Sequence, residues 1–395
     1  MRSIAFLIPT LDRIGGAERQ VILLAKELAR RGWRVSMVAL SGTGEPVAGK
    51  LASEGVEFLS LEMRKGLADP RGWIRFHRWL HRERPDVVHG HLPHAAWFGR
   101  WSRLCSPVRL VLDTIHTSAT GMSGRRFGYR SSHWLPNKVT AVSDSVADAY
   151  LSAHLVSPER LTVLPNGIDI EKWKPEPHLR KTLRCELGLA DEFIWLAAGR
   201  LEPVKDYPTL LRSMLQIPSP ARLVIAGGGP LEGALRHLAA ELGLTTRVQF
   251  LGFEPDVLRW MQAADGFVLS SRWEGLPMGL LESAACGLPA VATNVAGSCE
   301  IVVHGYTGFL APAGNVGALA MAMNRLMQMP LKERNSMGQR AQQRVTERYD
   351  LERVLDLWES LYSTLLAQNP LPFRWGRAHR AGFPQPSTCR GLPPI

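Results

Sequence analysis

Two glutamates, Glu274 and Glu282, lie eight residues apart around a Gly-Leu-Pro-Met turn. The apolar run Gly266–Leu269 before them is typical of a buried strand, and the segment from Pro277, as first helical residue, to about Cys286 is typical of a helix. The first N–H groups of a helix lack intrahelical partners and attract anions, so this helix start suits a diphosphate. Acids on either side of that anion would face neutral hydroxyl groups, such as those of a sugar and a ribose; the alternative is that both acids are solvated or stabilise the helix.

Two cations follow a second apolar run. Arg200 and Lys205 come shortly after Phe193–Ala198, another predicted strand. At the carboxyl end of a strand both side chains would face the same anion as the helix start. The alternative is a surface pairing with the neighbouring acids Glu202 and Asp206.

Glycine-rich turns follow two further predicted strands. Gly228 is the middle residue of three glycines after Arg222–Ala226, and Gly15 and Gly16 follow Ile4–Ile8. Glycine lets a backbone approach a ligand closely. The three glycines do not match the dinucleotide fingerprint, so a simple tight turn is the competing interpretation.

Histidines mark the first half of the chain. His116 closes the predicted strand Leu110–Thr114, where a sheet of this kind binds ligands, although a lone histidine is more often structural. His89, His91 and His94 invite comparison with a metal site. No carboxylate or cysteine nearby completes a ligand set, and no Asp-x-Asp is present, so neither a metal nor another cofactor is expected.

Strand and helix patterns alternate along most of the chain, with helix-like segments such as Ala17–Arg31 and Trp73–Arg84 between apolar runs. This alternation, found twice, predicts an α/β protein of two doubly wound parallel sheets. Breaker residues place the boundary within 164–186. The remaining predicted strands are Arg34–Ala39, Val56–Leu59, Asp86–His89 and Lys138–Val142 in the first half, and Val248–Leu251, Ala290–Thr293 and Gly308–Ala311 in the second.

Composition fits a globular protein of 395 residues with a net charge of +11, and the excess is uneven. Residues 1–185 carry 28 Lys and Arg against 17 Asp and Glu, whereas the rest carries 19 of each. No apolar stretch is long enough for a membrane span. The five cysteines are scattered without a CxxC, which is typical of reduced thiols in a cytoplasmic protein.

A basic stripe accounts for part of the excess charge. Arg71, Arg75, Arg78 and Arg82 fall on one face of a predicted helix, flanked by Trp79, and residues 125–130 predict a similar basic-aromatic loop. Such surfaces suit an acidic membrane, with an ordinary solvated helix as the alternative. No recognised nucleic-acid-binding module is present, so no nucleic-acid partner is expected.

Together these segments resemble the retaining glycosyltransferases of family 4, which have the GT-B fold. The resemblance covers about residues 1–366, and the Glu274-x7-Glu282 pair is its most specific part. The motifs, in order, are GGAER (15–19), VSDS (142–145), LPNGID (164–169), AAGRL (197–201), GGGPLE (227–232) and WEGLPMGLLES (273–283).

The resemblance implies roles for individual residues. Arg200 and Lys205 would hold the donor diphosphate, Glu274 would touch sugar hydroxyls, and Glu282 would bond the ribose. His116 would sit over the reacting sugar, and it joins Glu274, Arg200 and Lys205 as the implied catalytic set. The implied donor-binding residues are Gly15, Gly16, Arg200, Lys205, Gly228, Glu274, Gly275, Leu276, Pro277, Met278 and Glu282.

The resemblance also implies two Rossmann-like domains facing a cleft: an acceptor domain over 1–168, completed by a crossover helix at 351–366, and a donor domain over 169–350. Residues 369–395, rich in Pro, Arg and Gly, predict a basic disordered tail. The implied activity is metal-independent transfer of a hexosyl group from a UDP- or GDP-linked donor to a glycan or lipid-linked acceptor. The implied pathway is cell-surface polysaccharide or lipopolysaccharide synthesis, and the implied location is the inner membrane face. An epimerase, a phosphorylase or a basic anion-binding protein remain alternatives.

Overall fold

Two parallel sheets form the framework of the protein. The computed structural model describes residues 1–12, 14–64, 69–106, 108–119, 123–189 and 192–370. Most of the predicted tail, from residue 371 onward, lies outside the described residues. The first sheet has seven strands in the order β3-β2-β1-β4-β5-β6-β7, and the second has six in the order β10-β9-β8-β11-β12-β13.

The strands are short, and every strand pairing within the two sheets is parallel. The first sheet contains β1 (Ser3–Ile8), β2 (Arg34–Ala39), β3 (Val56–Ser60), β4 (Val87–His91), β5 (Leu110–Ile115), β6 (Lys138–Ala141) and β7 (Leu161–Val163). The second contains β8 (Phe193–Ala198), β9 (Ala221–Ala226), β10 (Val248–Gly252), β11 (Gly266–Leu269), β12 (Ala290–Thr293) and β13 (Gly308–Ala311).

Helices connect the strands and cover both faces, as parallel sheets require. In the first half they are α1 (Gly16–Arg30), α2 (Glu45–Ser53), α3 (Pro70–Glu83), α4 (Pro93–Cys105), α5 (Ser123–Ser132) and α6 (Asp144–Ser152). In the second half they are α7 (Pro177–Glu186), α8 (Tyr207–Ser213), α9 (Glu232–Glu241), α10 (Val257–Ala263), α11 (Met278–Ala285), α12 (Ser298–Ile301), α13 (Val316–Gln328), α14 (Leu331–Tyr349) and α15 (Leu351–Gln368).

The last helix, α15, packs against the first sheet rather than the second. Its buried residues share one apolar cluster with α1 and with strands β1 and β2. Arg31, which follows α1, donates to Asp356 at 2.6 Å and to Glu359 at 2.7 Å on α15. The chain therefore crosses between the sheets twice, and the two crossings pair side by side where Ile168 donates to the Tyr349 carbonyl at 2.8 Å and accepts from the Leu351 N–H at 3.0 Å.

The strand predictions are confirmed, since all twelve predicted strands are present with ends that differ by at most two residues. The structure contains one further strand, β7, which was not predicted. Three helical details were wrong. Pro277 is the N-cap of α11 rather than its first helical residue, and residues 125–130 lie in helix α5 instead of a loop.

Trp79 provides the third correction, because it does not flank the basic stripe of α3. It is 4% exposed and packs in the core with Phe76 and Leu80. Those positions, together with Gly72, follow the i, i+4, i+7, i+8 spacing of a buried helix face. The arginines of the stripe lie on the opposite, exposed side.

Candidate active site

Lys205 and Glu274 form an ion pair at the carboxyl end of the second sheet. Lys205 Nζ lies 2.6 Å from Glu274 Oε1, and both side chains are largely buried, at 20% and 12% exposure. Ser271 Oγ donates to the same Oε1 at 2.6 Å. Among the described residues Glu274 Oε2 has no hydrogen-bond partner, so one carboxylate oxygen is left for a ligand hydroxyl group.

Neighbouring backbone holds Lys205 in place. Its carbonyl accepts from Ser270 Oγ at 2.7 Å, and the Val204 carbonyl accepts from the Arg272 N–H at 2.8 Å. Asp206 has a positive φ of 47° and accepts from Arg272 Nε at 3.1 Å. The segment that precedes Glu274 is therefore fastened to the segment that carries Lys205, although the two lie far apart in sequence.

Arg200 lies on the same side of the sheet and is half exposed. Its guanidinium pairs with Glu202, which is the surface pairing considered as an alternative. It also faces the first domain, since a Cβ built on Gly15 would lie 3.6 Å from Arg200 Nη1. The surface pairing therefore exists, yet the cation still lies at the cleft.

The three-glycine turn supports the Arg200 segment. Gly228 accepts a hydrogen bond from the Leu201 N–H at 3.0 Å, and a Cβ on Gly229 would lie 2.6 Å from the Leu201 carbonyl oxygen. Gly227 has a φ of +149°, and a Cβ there would lie 2.0 Å from the Gly199 carbonyl oxygen. Glycine is required here because two backbone segments touch.

The glycines of the first domain meet the start of α11. Gly15 is the N-cap of α1, and its N–H donates to Glu18 Oε2 at 2.9 Å. A Cβ on Gly16 would lie 3.6 Å from Met278 Cγ. The structure thus brings Gly15 and Gly16 together with Arg200 and Met278 across the cleft.

His116 reaches the same place from β5. A Cβ on Gly275 would lie 2.0 Å from the His116 carbonyl oxygen, so the two backbones are in direct contact. The His116 ring is half-buried, and its Nε2 lies 2.9 Å from Nδ1 of His91. Burial lowers the pKa of His116 to about 4, so the ring is neutral at pH 7.

Three polar side chains for which the sequence predicted no role fix the backbone of the Glu274 turn. Ser118 Oγ donates to the Glu274 carbonyl at 3.0 Å, Ser143 Oγ to Gly275 at 2.9 Å, and Asn166 Nδ2 to Leu276 at 3.3 Å. Ser143 and Asn166 belong to the VSDS and LPNGID motifs, whose function was not assigned. All three bonds join the first half of the chain to the second.

Glu282 is a buried acid without a hydrogen-bond partner among the described residues. It is 9% exposed, and burial raises the pKa of its carboxyl group, an effect that Arg19 and Lys172 oppose. Buried polar groups are nearly always paired in folded proteins. An unpaired carboxylate one turn into α11 therefore suits a ligand that brings its own hydroxyl donors.

The histidines do not form a metal centre. His89 uses both ring nitrogens on neighbours, Nδ1 with Tyr362 Oη at 2.8 Å and Nε2 with Thr114 Oγ1 at 2.7 Å. His94 is exposed and lies edge-on to Trp97. In the part of the chain that the structure describes, no cluster of three or more His, Cys, Asp or Glu side chains is placed to hold a metal ion.

Family models match both halves of the chain. Residues 14–172 match the model described as Glycosyltransferase Family 4, and residues 180–344 match the model described as Glycosyl transferases group 1. All of the site residues described above lie within the two matched ranges.

Individual relatives and a solved structure agree with the family models. The chain is 25% identical over 311 residues to the Escherichia coli UDP-Gal:alpha-D-GlcNAc-diphosphoundecaprenol alpha-1,3-galactosyltransferase, covering 75% of this chain and 80% of that protein. It is 30% identical over 303 residues to the Mycobacterium tuberculosis D-inositol 3-phosphate glycosyltransferase, covering 72% of this chain but only 62% of that relative. The fold matches Anabaena HepE in complex with UDP-glucose with a TM-score of 0.82 at 24% identity, over 92% of this chain and all of that one.

Proposed function

The chain belongs to the group 1 glycosyltransferases of the GT-B fold, which use sugar-nucleotide donors, and we propose that it transfers a hexosyl group to a saccharide or lipid-linked acceptor with retention of configuration and without a metal ion. One observation carries the proposal. Lys205 and Glu274 are paired beside the N-terminus of α11, with one carboxylate oxygen of Glu274 left for a sugar hydroxyl group.

The proposed chemistry is stabilisation of a departing nucleoside diphosphate. Negative charge grows on the diphosphate as the bond to the sugar breaks, and Lys205, Arg200 and the free N–H groups at the start of α11 would offset it. Lys205 is already held, by the Ser270 contact at its carbonyl and by the Glu274 ion pair at its ammonium, so it needs little reorganisation during the reaction. Retention of configuration is what the family resemblance implies.

The two acids would recognise the two polyols of the donor. Glu274 would accept from sugar hydroxyl groups through Oε2, and Glu282 would accept from the ribose. A ribose would supply the hydroxyl donors that the buried Glu282 carboxylate lacks in the described structure. His116, with Gly15 and Gly16, would cover the donor from the first domain and limit the entry of water.

Uracil is the base that the relatives favour. The E. coli relative uses UDP-Gal, and the Anabaena structure contains UDP-glucose. We therefore expect UDP and UDP-hexoses to raise the melting temperature of the protein more than GDP or ADP counterparts do. A ligand at 100 times its Kd stabilises the folded state by about 2.7 kcal/mol, which a thermal-shift measurement detects.

Adding EDTA to the same thermal-shift measurement tests whether nucleotide binding needs a metal ion. If Lys205, Arg200 and the helix start supply the positive charge, the UDP-induced shift should be equal with and without EDTA. A shift that disappears with EDTA would contradict metal independence. Absence of any nucleotide-induced shift would contradict the donor site, whereas conversion of the donor sugar without acceptor would favour an epimerase.

The acceptor proposal rests on an exposed face of the first domain. Helices α3, α4 and α5 lie side by side, and their only acidic residue is Glu83. The face carries exposed cations and exposed apolar side chains, and Arg78, Arg126 and Arg130 form no ion pair with a described residue. The exposed apolar side chains are Ile74, Trp101, Leu104 and Phe127, with Trp134 just after α5.

A cationic face with exposed aromatic rings suits the surface of an acidic membrane. We call these three helices and Trp134 the basic-aromatic face, and we propose that it brings the enzyme to a lipid-linked acceptor at the inner membrane surface, as a cytoplasmic, peripheral protein. No helix among the described residues has the length and apolar character needed to cross a membrane.

Vesicle co-sedimentation tests this proposal. Binding to vesicles that contain acidic lipid is expected at low salt, with weaker binding to neutral vesicles and at high salt, because salt screens the attraction. The double variant Phe127→Ser and Trp134→Ser should bind at least about tenfold less. Met321→Ser, which removes an exposed apolar side chain from α13 instead, is the control; equal binding by all three proteins would refute the proposed face.

A further inference from the structure

Three histidines form a short row at the ends of β4 and β5. His89 and His91 are fully buried on β4, with ring centroids 4.1 Å apart. His91 Nδ1 lies 2.9 Å from Nε2 of His116. Nε2 of His91 is buried with no hydrogen-bond partner among the described residues. The row therefore contains one hydrogen bond between two imidazoles and one buried nitrogen that bonds to nothing described.

The number of protons in this row is limited. Burial lowers the pKa of His91 well below its usual value and that of His116 to about 4. Both rings are therefore neutral at pH 7, and each carries one N–H. The bond between them holds one proton, which belongs either to His116 Nε2 or to His91 Nδ1.

The two arrangements differ in what they leave unpaired. If His116 donates from Nε2, the proton of His91 must sit on its buried Nε2, where it has no described acceptor. If His91 donates from Nδ1, that Nε2 is only an unprotonated acceptor. Orphaned buried N–H groups are rarer in proteins than under-satisfied acceptors, so the second arrangement is favoured.

We propose that His91 is a positioning residue that holds His116 in the tautomer with its proton on Nδ1. His116 Nδ1 has no partner among the described residues, and the backbone of His116 touches Gly275 at the cleft. His116 would then offer an N–H donor to a hydroxyl oxygen of the donor sugar, an inference that rests on the proposed function. The neighbouring ring sets which nitrogen carries the proton, as second partners of functional histidines commonly do.

Nitrogen-15 NMR of the full chain labelled at histidine tests the tautomer directly. Long-range couplings distinguish a protonated from an unprotonated ring nitrogen, and His116→Gln assigns the signals of residue 116. The expected result is a proton on Nδ1 and none on Nε2 of His116 at pH 7. A proton on Nε2 would overturn the proposal. This measurement needs neither a nucleotide-sugar donor nor a saccharide acceptor.

Two variants test the consequence for transfer. His91→Asn keeps an N–H donor near the position of Nδ1, whereas His91→Leu removes it. We expect His91→Leu to lower kcat by about 10- to 100-fold with little change in the KM for the donor, and His91→Asn to recover most of that loss. The control is His94→Leu, since His94 is exposed on the same segment.

The outcomes separate this inference from the donor proposal. Equal kcat values for His91→Leu and His91→Asn, in proteins that melt alike, would overturn the positioning role. If no nucleotide sugar binds the wild type, the proposed function fails, and the NMR result still decides whether His91 sets the tautomer of His116.

Discussion

Replacing Lys205 with alanine should lower kcat for sugar transfer by roughly 100- to 1,000-fold, the range found when one preorganised group that stabilises transition-state charge is removed. Lys205 is held by the Ser270 contact and the Glu274 ion pair before any ligand arrives. Its cation would act on the charge that develops as the diphosphate leaves, so the loss should appear in kcat. Initial rates with a UDP-hexose and a saccharide acceptor measure it.

Removal of Lys205 also leaves Glu274 without its cation, and a second variant separates the two effects. In the double variant Lys205→Ala and Glu274→Gln no carboxylate is left unpaired, so the melting temperature should return toward that of the wild type while transfer remains lost. Lys181→Ala, at an exposed position on α7, is the control. Turnover at the wild-type rate in Lys205→Ala would refute the site.

The sequence predicted the sheets well because most of their strands are buried on both faces. Such strands appear as short continuous apolar runs, for example Phe193–Ala198 and Ala290–Thr293, whose bounds match the structure. Strand β7 was missed for the same reason, since this three-residue edge strand is not fully buried and has no apolar run. Trp79 was misplaced because a charge stripe reveals one face of a helix but does not assign the residues at its border.

The candidate site was predictable only as separate parts. Lys205 and Glu274 each carried a local signal, a strand end and a helix start, but their 2.6 Å contact joins segments far apart in sequence. The bonds from Ser118, Ser143 and Asn166 depend on how the two domains meet. No local pattern encodes that arrangement, so these side chains had no functional interpretation before the structure.

Gly275→Ala should reduce transfer by about 100-fold without unfolding either domain. An added Cβ would lie 2.0 Å from the carbonyl oxygen and 2.7 Å from the carbonyl carbon of His116. Both neighbours are backbone atoms, so the contact is relieved only by moving the first domain or the Glu274 turn. Displacing a reacting group by about 1 Å can cost about 100-fold in rate.

The substitution isolates this contact because the φ of Gly275 lies outside the left-handed region, so alanine suits the local backbone. Gly233→Ala is the control, since a Cβ at that position on α9 would meet nothing within 4 Å. Small-angle scattering with UDP should give a larger radius of gyration for Gly275→Ala than for the wild type or Gly233→Ala, if the domains are held apart. Loss of transfer with unchanged scattering would mean that the Glu274 turn moves instead, whereas wild-type transfer would mean that the reaction does not need the Gly275–His116 contact.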